Sequence, residues 1–257
     1  MKTKSLGFIG GGRITKIFLQ ALSNKKIELS SVLVFDTNSE VLTALKKQFP
    51  QIKLTDSCKM AAKQDVVFIA LHPPVIMETL EQIKETVSEM TQIVSLAPKI
   101  SIEKIASKLP TKNIARMIPN ATSYINEGYN PVSFSGQYTA PERQSLLQTL
   151  GYLGHTFEIE ESKLEAYAIV SAMLPTYFWF QWKELQSLSL EMGLDEPESK
   201  NAIQQTLMAA INLFYNSGLS NTEVIDLIPV KPIGEHESQI SEIFRTKLMG
   251  LFQKIKP

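Results

Sequence analysis

Leu6-Gly7-Phe8-Ile9-Gly10-Gly11-Gly12-Arg13-Ile14-Thr15 is the stretch on which the fold turns. A short apolar strand runs into three glycines and then at once into a helical pattern, with Ile14, Ile17, Phe18, Ala21 and Leu22 recurring on one face. Without side chains, the backbone can come close to a pyrophosphate, and the helix start aims free N–H groups at it. Thr15 stands at the third position of the fingerprint, where Gly or Ala is usual, so a plain turn remains an alternative reading. Ser31 to Asp36 supplies the second strand. Asp36 closes it 26 positions after Gly10, where a carboxylate meets the ribose hydroxyls of a dinucleotide or, alternatively, caps the helix that begins at Asn38 or Ser39.

The same alternation continues outward. Helices are expected near 39–48, 57–63, 75–89 and 101–108, and strands at 52–54, 65–71, 93–96 and 114–118. The run Asp65-Val66-Val67-Phe68-Ile69-Ala70-Leu71 is apolar enough to be buried on both faces. It stops at His72-Pro73-Pro74, because two prolines cannot continue a central strand. Beyond Ser162 the strand pattern ends, and helices are expected over 163–193, 198–217, 222–227 and 237–254. Pro175 should kink or break the first of these. The fold expected is therefore α/β: a Rossmann-type, doubly wound, mainly parallel sheet over residues 1–158, then an all-α domain over 159–257. Tyr177-Phe178-Trp179-Phe180 and Trp182 are apolar around most of their helix, which calls for burial by a second subunit or in a monomeric core.

Composition narrows the partners. The chain has 257 residues, 26 basic against 26 acidic, so no global field draws it to nucleic acid or an anionic membrane. The lone Cys58 forms no internal disulfide and reads as a small buried thiol, and no cluster with metal-ligand spacing is present. The apolar run after Met1-Lys2-Thr3-Lys4 is too short for a signal peptide, and no membrane-spanning run occurs, so a cytoplasmic location is expected.

Gly10-x-Gly12, the strand Asp65 to Ala70 with its proline pair, Arg116-x-x-Pro119-Asn120, Glu127-Gly128 and the helical second half together resemble pyrroline-5-carboxylate reductase. The likeness in layout spans nearly the whole chain and is more specific in its first half. It implies NAD(P)H on the N-terminal domain and a homodimer built by the helical one, with the shared interface completing the active site. Gly10, Gly12 and Arg13, with Ile14 beside them, would line the pyrophosphate. Ala70, His72 and Pro73 would flank ribose and nicotinamide, with Ala97 at the next strand end and Asn120 on the nicotinamide side.

The departures lie on the substrate side. Where that family has Gly-Ser-Gly-Pro-Ala-Tyr, this chain has Ala172-Met173-Leu174-Pro175-Thr176-Tyr177. Its Ser-Pro-Gly-Gly-Thr-Thr loop is replaced by Lys231-Pro232-Ile233-Gly234-Glu235-His236. A carboxylate about 4 Å from a substrate carboxylate would repel it by about 4 kcal/mol at an effective dielectric of 20, unless Glu235 turns away or pairs with Lys231. Candidate proton donors are Tyr177, His236 and Lys231, set against bland readings of Tyr177 as core and His236 as a polar loop residue. Arg116 and Lys99 read as ion-pair partners or substrate contacts. Asp36 favours NADH over NADPH, although Arg13 or the polar Thr37, Asn38 and Ser39 could meet a phosphate. The expected activity is reduction of a small cyclic imine or related compound, with a dimeric cofactor-binding protein lacking hydride transfer as the alternative.

Overall fold

The computed structural model describes residues 4–27 and 31–257; the Met1-Lys2-Thr3 start lies outside them. Among the described residues eight strands form one sheet: β1 (Leu6–Ile9), β2 (Val32–Phe35), β3 (Lys53–Thr55), β4 (Val66–Ile69), β5 (Gln92–Ser95), β6 (Ile114–Met117), β7 (Gly128–Phe134) and β8 (Gly154–Glu158). Their order is β3-β2-β1-β4-β5-β6-β7-β8. Pairing is parallel from β3 through β6, antiparallel between β6 and β7, and parallel again between β7 and β8. The crossovers carry α1 (Arg13–Asn24), α2 (Ser39–Gln48), α3 (Cys58–Ala61), α4 (Pro73–Ile83) and α5 (Ile102–Ala106), and α6 (Ala140–Leu150) joins β7 to β8.

Both faces of the sheet are covered, which is why its strands read as unbroken apolar runs. On one face Phe8, Val34, Phe68, Val94 and Ala115 stand side by side in register and pack with Phe18 and Leu22 of α1. Phe8 and Phe68 stack with ring centroids 4.8 Å apart. On the other, Val67, Ile69, Ile93 and Ile114 meet Ile76, Leu80 and Ile83 of α4. Strand β7 has no counterpart in the sequence reading, because Asn130-Pro131 looks like a turn. Pro131 lies one residue beyond the β6 register, so its missing N–H costs no bond in that ladder.

The chain divides into two compact units, one running to Ala172 and taking back Phe252–Pro257, the other Met173–Leu251. The boundary expected at 158/159 thus moves to 172/173. The reason is polar: Arg116 of β6 binds Glu161 and Glu165, fastening α7 (Leu164–Tyr167) to the sheet unit. A π-helical turn, Ala168–Ala172, follows α7. The helix expected over 163–193 is therefore interrupted before Pro175, which sits in the first turn of α8 (Leu174–Glu191), where its lost N–H has no partner to miss.

The second unit contains α8, α9 (Glu196–Asn216), α10 (Asn221–Asp226) and most of α11 (Glu237–Ile255). Asp195 with Glu198, and Ser220 with Glu223, form capping boxes that start α9 and α10. No residue of α8 is buried, and Trp179 is 48% and Phe180 66% exposed. Among the described residues no helix is long and apolar enough to cross a membrane.

Candidate cofactor-binding and catalytic site

Each glycine of the β1–α1 turn has a separate physical task. Gly10 has φ +107°, and a Cβ there would lie 2.3 Å from the carbonyl oxygen of Ala70, so both conformation and strand approach demand glycine. A Cβ on Gly11 would press on Val41 and Leu45 of α2. Gly12, by contrast, has ordinary φ and nothing within 4 Å of a Cβ, so it faces open space at the start of α1. As N-cap it offers no side-chain acceptor, which leaves the first N–H groups of α1 available to an anion. Thr15 explains the incomplete fingerprint. It is fully buried, and its hydroxyl donates to the Gly10 carbonyl at 2.5 Å, so a hydroxyl ties the turn where the pattern usually has a small residue.

Asp36 is held on two sides. Its Oδ2 accepts the Gly11 N–H at 2.7 Å and its Oδ1 accepts the Asn38 N–H at 2.8 Å. Asn38, not Asp36, caps α2 through the N–H groups of Glu40 and Val41, which settles the capping alternative. Each Asp36 oxygen keeps a second lone pair for a ribose hydroxyl. Arg13, Asp36 and the exposed Thr37 thus gather at the carboxyl ends of β1 and β2, with Ile14 half-buried beneath.

The remaining residues expected beside the cofactor follow at the ends of β4, β5 and β6. Ala70 and His72 leave β4, Pro73 opens α4, Ala97 leaves β5 and Asn120 leaves β6. Asn120 is buried and largely engaged. Its Oδ1 accepts from Thr122 N and Thr122 Oγ1, capping the 3₁₀ turn Ala121–Ile125, and its Nδ2 donates to Ser171 Oγ at 3.2 Å in the π-helical turn. One amide hydrogen is left for a ligand, so Asn120 is a donor only.

Beneath this edge runs a buried polar row. Ser95, Arg116 and Ser133 are paired in register across β5, β6 and β7. Arg116 Nη1 reaches Glu161 at 2.8 Å and Nη2 reaches Glu165 at 2.5 Å, and the same Glu161 oxygen accepts the Ile102 N–H at 2.8 Å. Arg116 is therefore an ion-pair residue. Its Nε and the Ser95 hydroxyl are buried with no hydrogen-bond partner among the described residues. Lys99 differs from Arg116. It adopts φ +72°, costing about 1 kcal/mol in a residue with a Cβ, and its exposed ammonium has no ion-pair partner among the described residues.

The three proton-donor candidates all fall in the second unit. Tyr177 of α8 is half-buried, edge-on to Phe244 of α11 at 5.8 Å, and burial pushes its phenol pKa up. Lys231 and His236 are exposed and share one turn, in which Gly234 N–H bonds the Lys231 carbonyl and His236 N–H bonds that of Ile233. Glu235 lies 3.4 Å from His236 Nε2, so it turns to the imidazole rather than to Lys231. Among the described residues no group of three or more His, Cys, Asp or Glu is placed to hold a metal ion.

The Thr15 bond, the two glutamates on Arg116 and the Ser171 contact escape sequence reasoning, since each joins residues whose proximity depends on register or on a turn. Only Thr15 leaves a signal, as the departure from the glycine pattern.

Residues 5–99 match the family model described as NADP oxidoreductase coenzyme F420-dependent. The chain is 23% identical to the pyrroline-5-carboxylate reductase of Corynebacterium melassecola over 257 residues, covering 97% of this chain and 94% of the relative. It is 24% identical to the Haemophilus influenzae enzyme of the same name over 216 residues, covering 83% and 79%. The crystal structure of Plasmodium falciparum pyrroline carboxylate reductase with NADP bound superposes with a TM-score of 0.78 at 19% identity, covering 99% of this chain and 96% of that one.

Proposed function

We propose, from its likeness to pyrroline-5-carboxylate reductases over most of its length, that the chain is an NAD(P)H-dependent reductase of a small cyclic imine. The observation that carries this reading is the glycine turn: open space at Gly12, an uncapped α1 start and a carboxylate already oriented at the next strand end. These residues fit a dinucleotide. When bound, NAD(P)H supplies the hydride that reduces the C=N carbon, and the protein has only to bind, orient and protonate. The N–H groups of α1 would hold the pyrophosphate, and Asp36 would accept the adenine ribose hydroxyls. A phenol is protonated at neutral pH and burial pushes that of Tyr177 further up, so Tyr177 has a proton to donate to the reduced nitrogen; Lys231 and His236 are the other candidates.

NADH is the preferred cofactor in this reading. The Asp36 carboxylate would repel the extra phosphate of NADPH, and only Thr37, Asn38 and Ser39 follow it. Calorimetric titration should show NADH binding at least about tenfold more tightly, and Asp36→Ser should narrow the gap; equal affinities in the unaltered protein would refute the preference. The helical unit is assigned to homodimerisation, supported by its exposed aromatic residues, and the protein to the cytoplasm.

A second reading, a cofactor-binding dimer without hydride transfer, is favoured by one observation: the exposed turn Lys231–His236 carries Glu235 where the family has hydroxyls. Oxidation of NADH with pyrroline-5-carboxylate separates the two. A steady rate that falls in Tyr177→Phe supports the reductase, whereas tight NADH binding without oxidation by this or related cyclic imines supports the binder.

A further inference from the structure

We propose that Lys99 is the anion anchor of the substrate site, taking the carboxylate of the imine at the end of β5. The inference rests on the reductase reading and deepens it.

Three observations converge on this side chain. The first is conformation: Lys99 holds φ +72° immediately after Pro98, a backbone state that glycine would occupy without strain. The second is charge. The segments leaving β4, β5 and β6, residues 70–72, 96–101 and 118–120, contain His72 and Lys99 and no aspartate or glutamate. The third is availability. Arg116, below the same edge, is consumed by Glu161 and Glu165, whereas Lys99 is exposed with no carboxylate within 4 Å among the described residues. Glu161 binds the Ile102 N–H, three residues along the chain from Lys99.

The position also accords with the chemistry. In open α/β sheets ligands bind at the carboxyl ends of the strands, and β1, β4 and β5 are neighbours in this sheet. An ammonium there can hold an anionic substrate beside the dinucleotide without entering the reaction. It would also offset the loss of the hydroxyl-bearing loop, whose place in the sequence is taken by Glu235 and His236. Lys99 thus acts as a specificity residue, and its contribution is to substrate affinity.

The test compares Lys99→Met and Lys99→Gly with the unaltered protein, using pyrroline-5-carboxylate and its methyl ester as substrates and measuring thermal midpoints in parallel. Both variants should raise KM for the carboxylate at least about tenfold with kcat changed less than about threefold, leaving KM for the ester as it was. Lys99→Gly should melt at or above the parent temperature, because it releases the strained backbone. Unchanged KM for the carboxylate, or equal losses on acid and ester, would overturn the assignment. Where the unaltered protein turns over neither substrate, titration of the NADH complex with L-proline and L-prolinamide decides Lys99 on its own. A preference for the acid that disappears in Lys99→Met upholds the anchor, and no preference overturns it.

Discussion

Gly10 and Gly12 differ by two positions and by everything else that matters to an added methyl group. At Gly10 a Cβ meets both a positive φ and a backbone carbonyl at 2.3 Å, so Gly10→Ala should destabilise the fold by about 3 kcal/mol, read from urea unfolding. At Gly12 the backbone is ordinary and the space open, so Gly12→Ala should leave stability within about 0.5 kcal/mol while weakening NADH binding more than about tenfold in calorimetry. A stability loss at Gly12, or unchanged NADH affinity, would contradict the role assigned to the turn. The sequence makes the glycines visible but not this division of labour, which depends on where Ala70 ends its strand. Asp36 is similar. Its position announces a ribose partner, while its two backbone bonds emerge only once β1 and β2 are aligned.

Among the elements, β6 and α7 are joined by a buried ion pair, Arg116 with Glu165. Arg116 is 1% exposed, Glu165 is 2% exposed, and removing either partner strands a buried charge. Arg116→Met should cost about 3–5 kcal/mol in urea or thermal unfolding, and Arg116→Met combined with Glu165→Met should recover much of it. Recovery failing in the double variant would show that the pair is more than mutual neutralisation. The parallel strands β1, β2, β4, β5 and β6 are legible in the sequence because burial on both faces leaves uninterrupted apolar runs. Strand β7 is not, since Asn130 and Pro131 mimic a turn, and the clamp is not, since Arg116 and Glu165 are distant in sequence. The break before Pro175 is legible from the proline alone, but its π-helical form is not.

At the scale of the whole molecule, the helical unit carries large apolar side chains on its surface. Phe180, Tyr215 and Met192 are 66%, 75% and 79% exposed, and a second copy of the chain is the proposed cover for that surface. Sedimentation should therefore give twice the 28.8 kDa chain mass, and Phe180→Asp should shift it toward the monomer. A monomer at micromolar concentration would refute the dimer. Whether the protein delivers hydride to a cyclic imine is decided by isotope transfer. NADH carrying deuterium at the reactive carbon, incubated with the protein and pyrroline-5-carboxylate, should yield proline one mass unit heavier, labelled at the former imine carbon. No label transferred to pyrroline-5-carboxylate or to related cyclic imines, from a protein that binds NADH tightly, would rule out the reductase and leave the cofactor-binding dimer in its place.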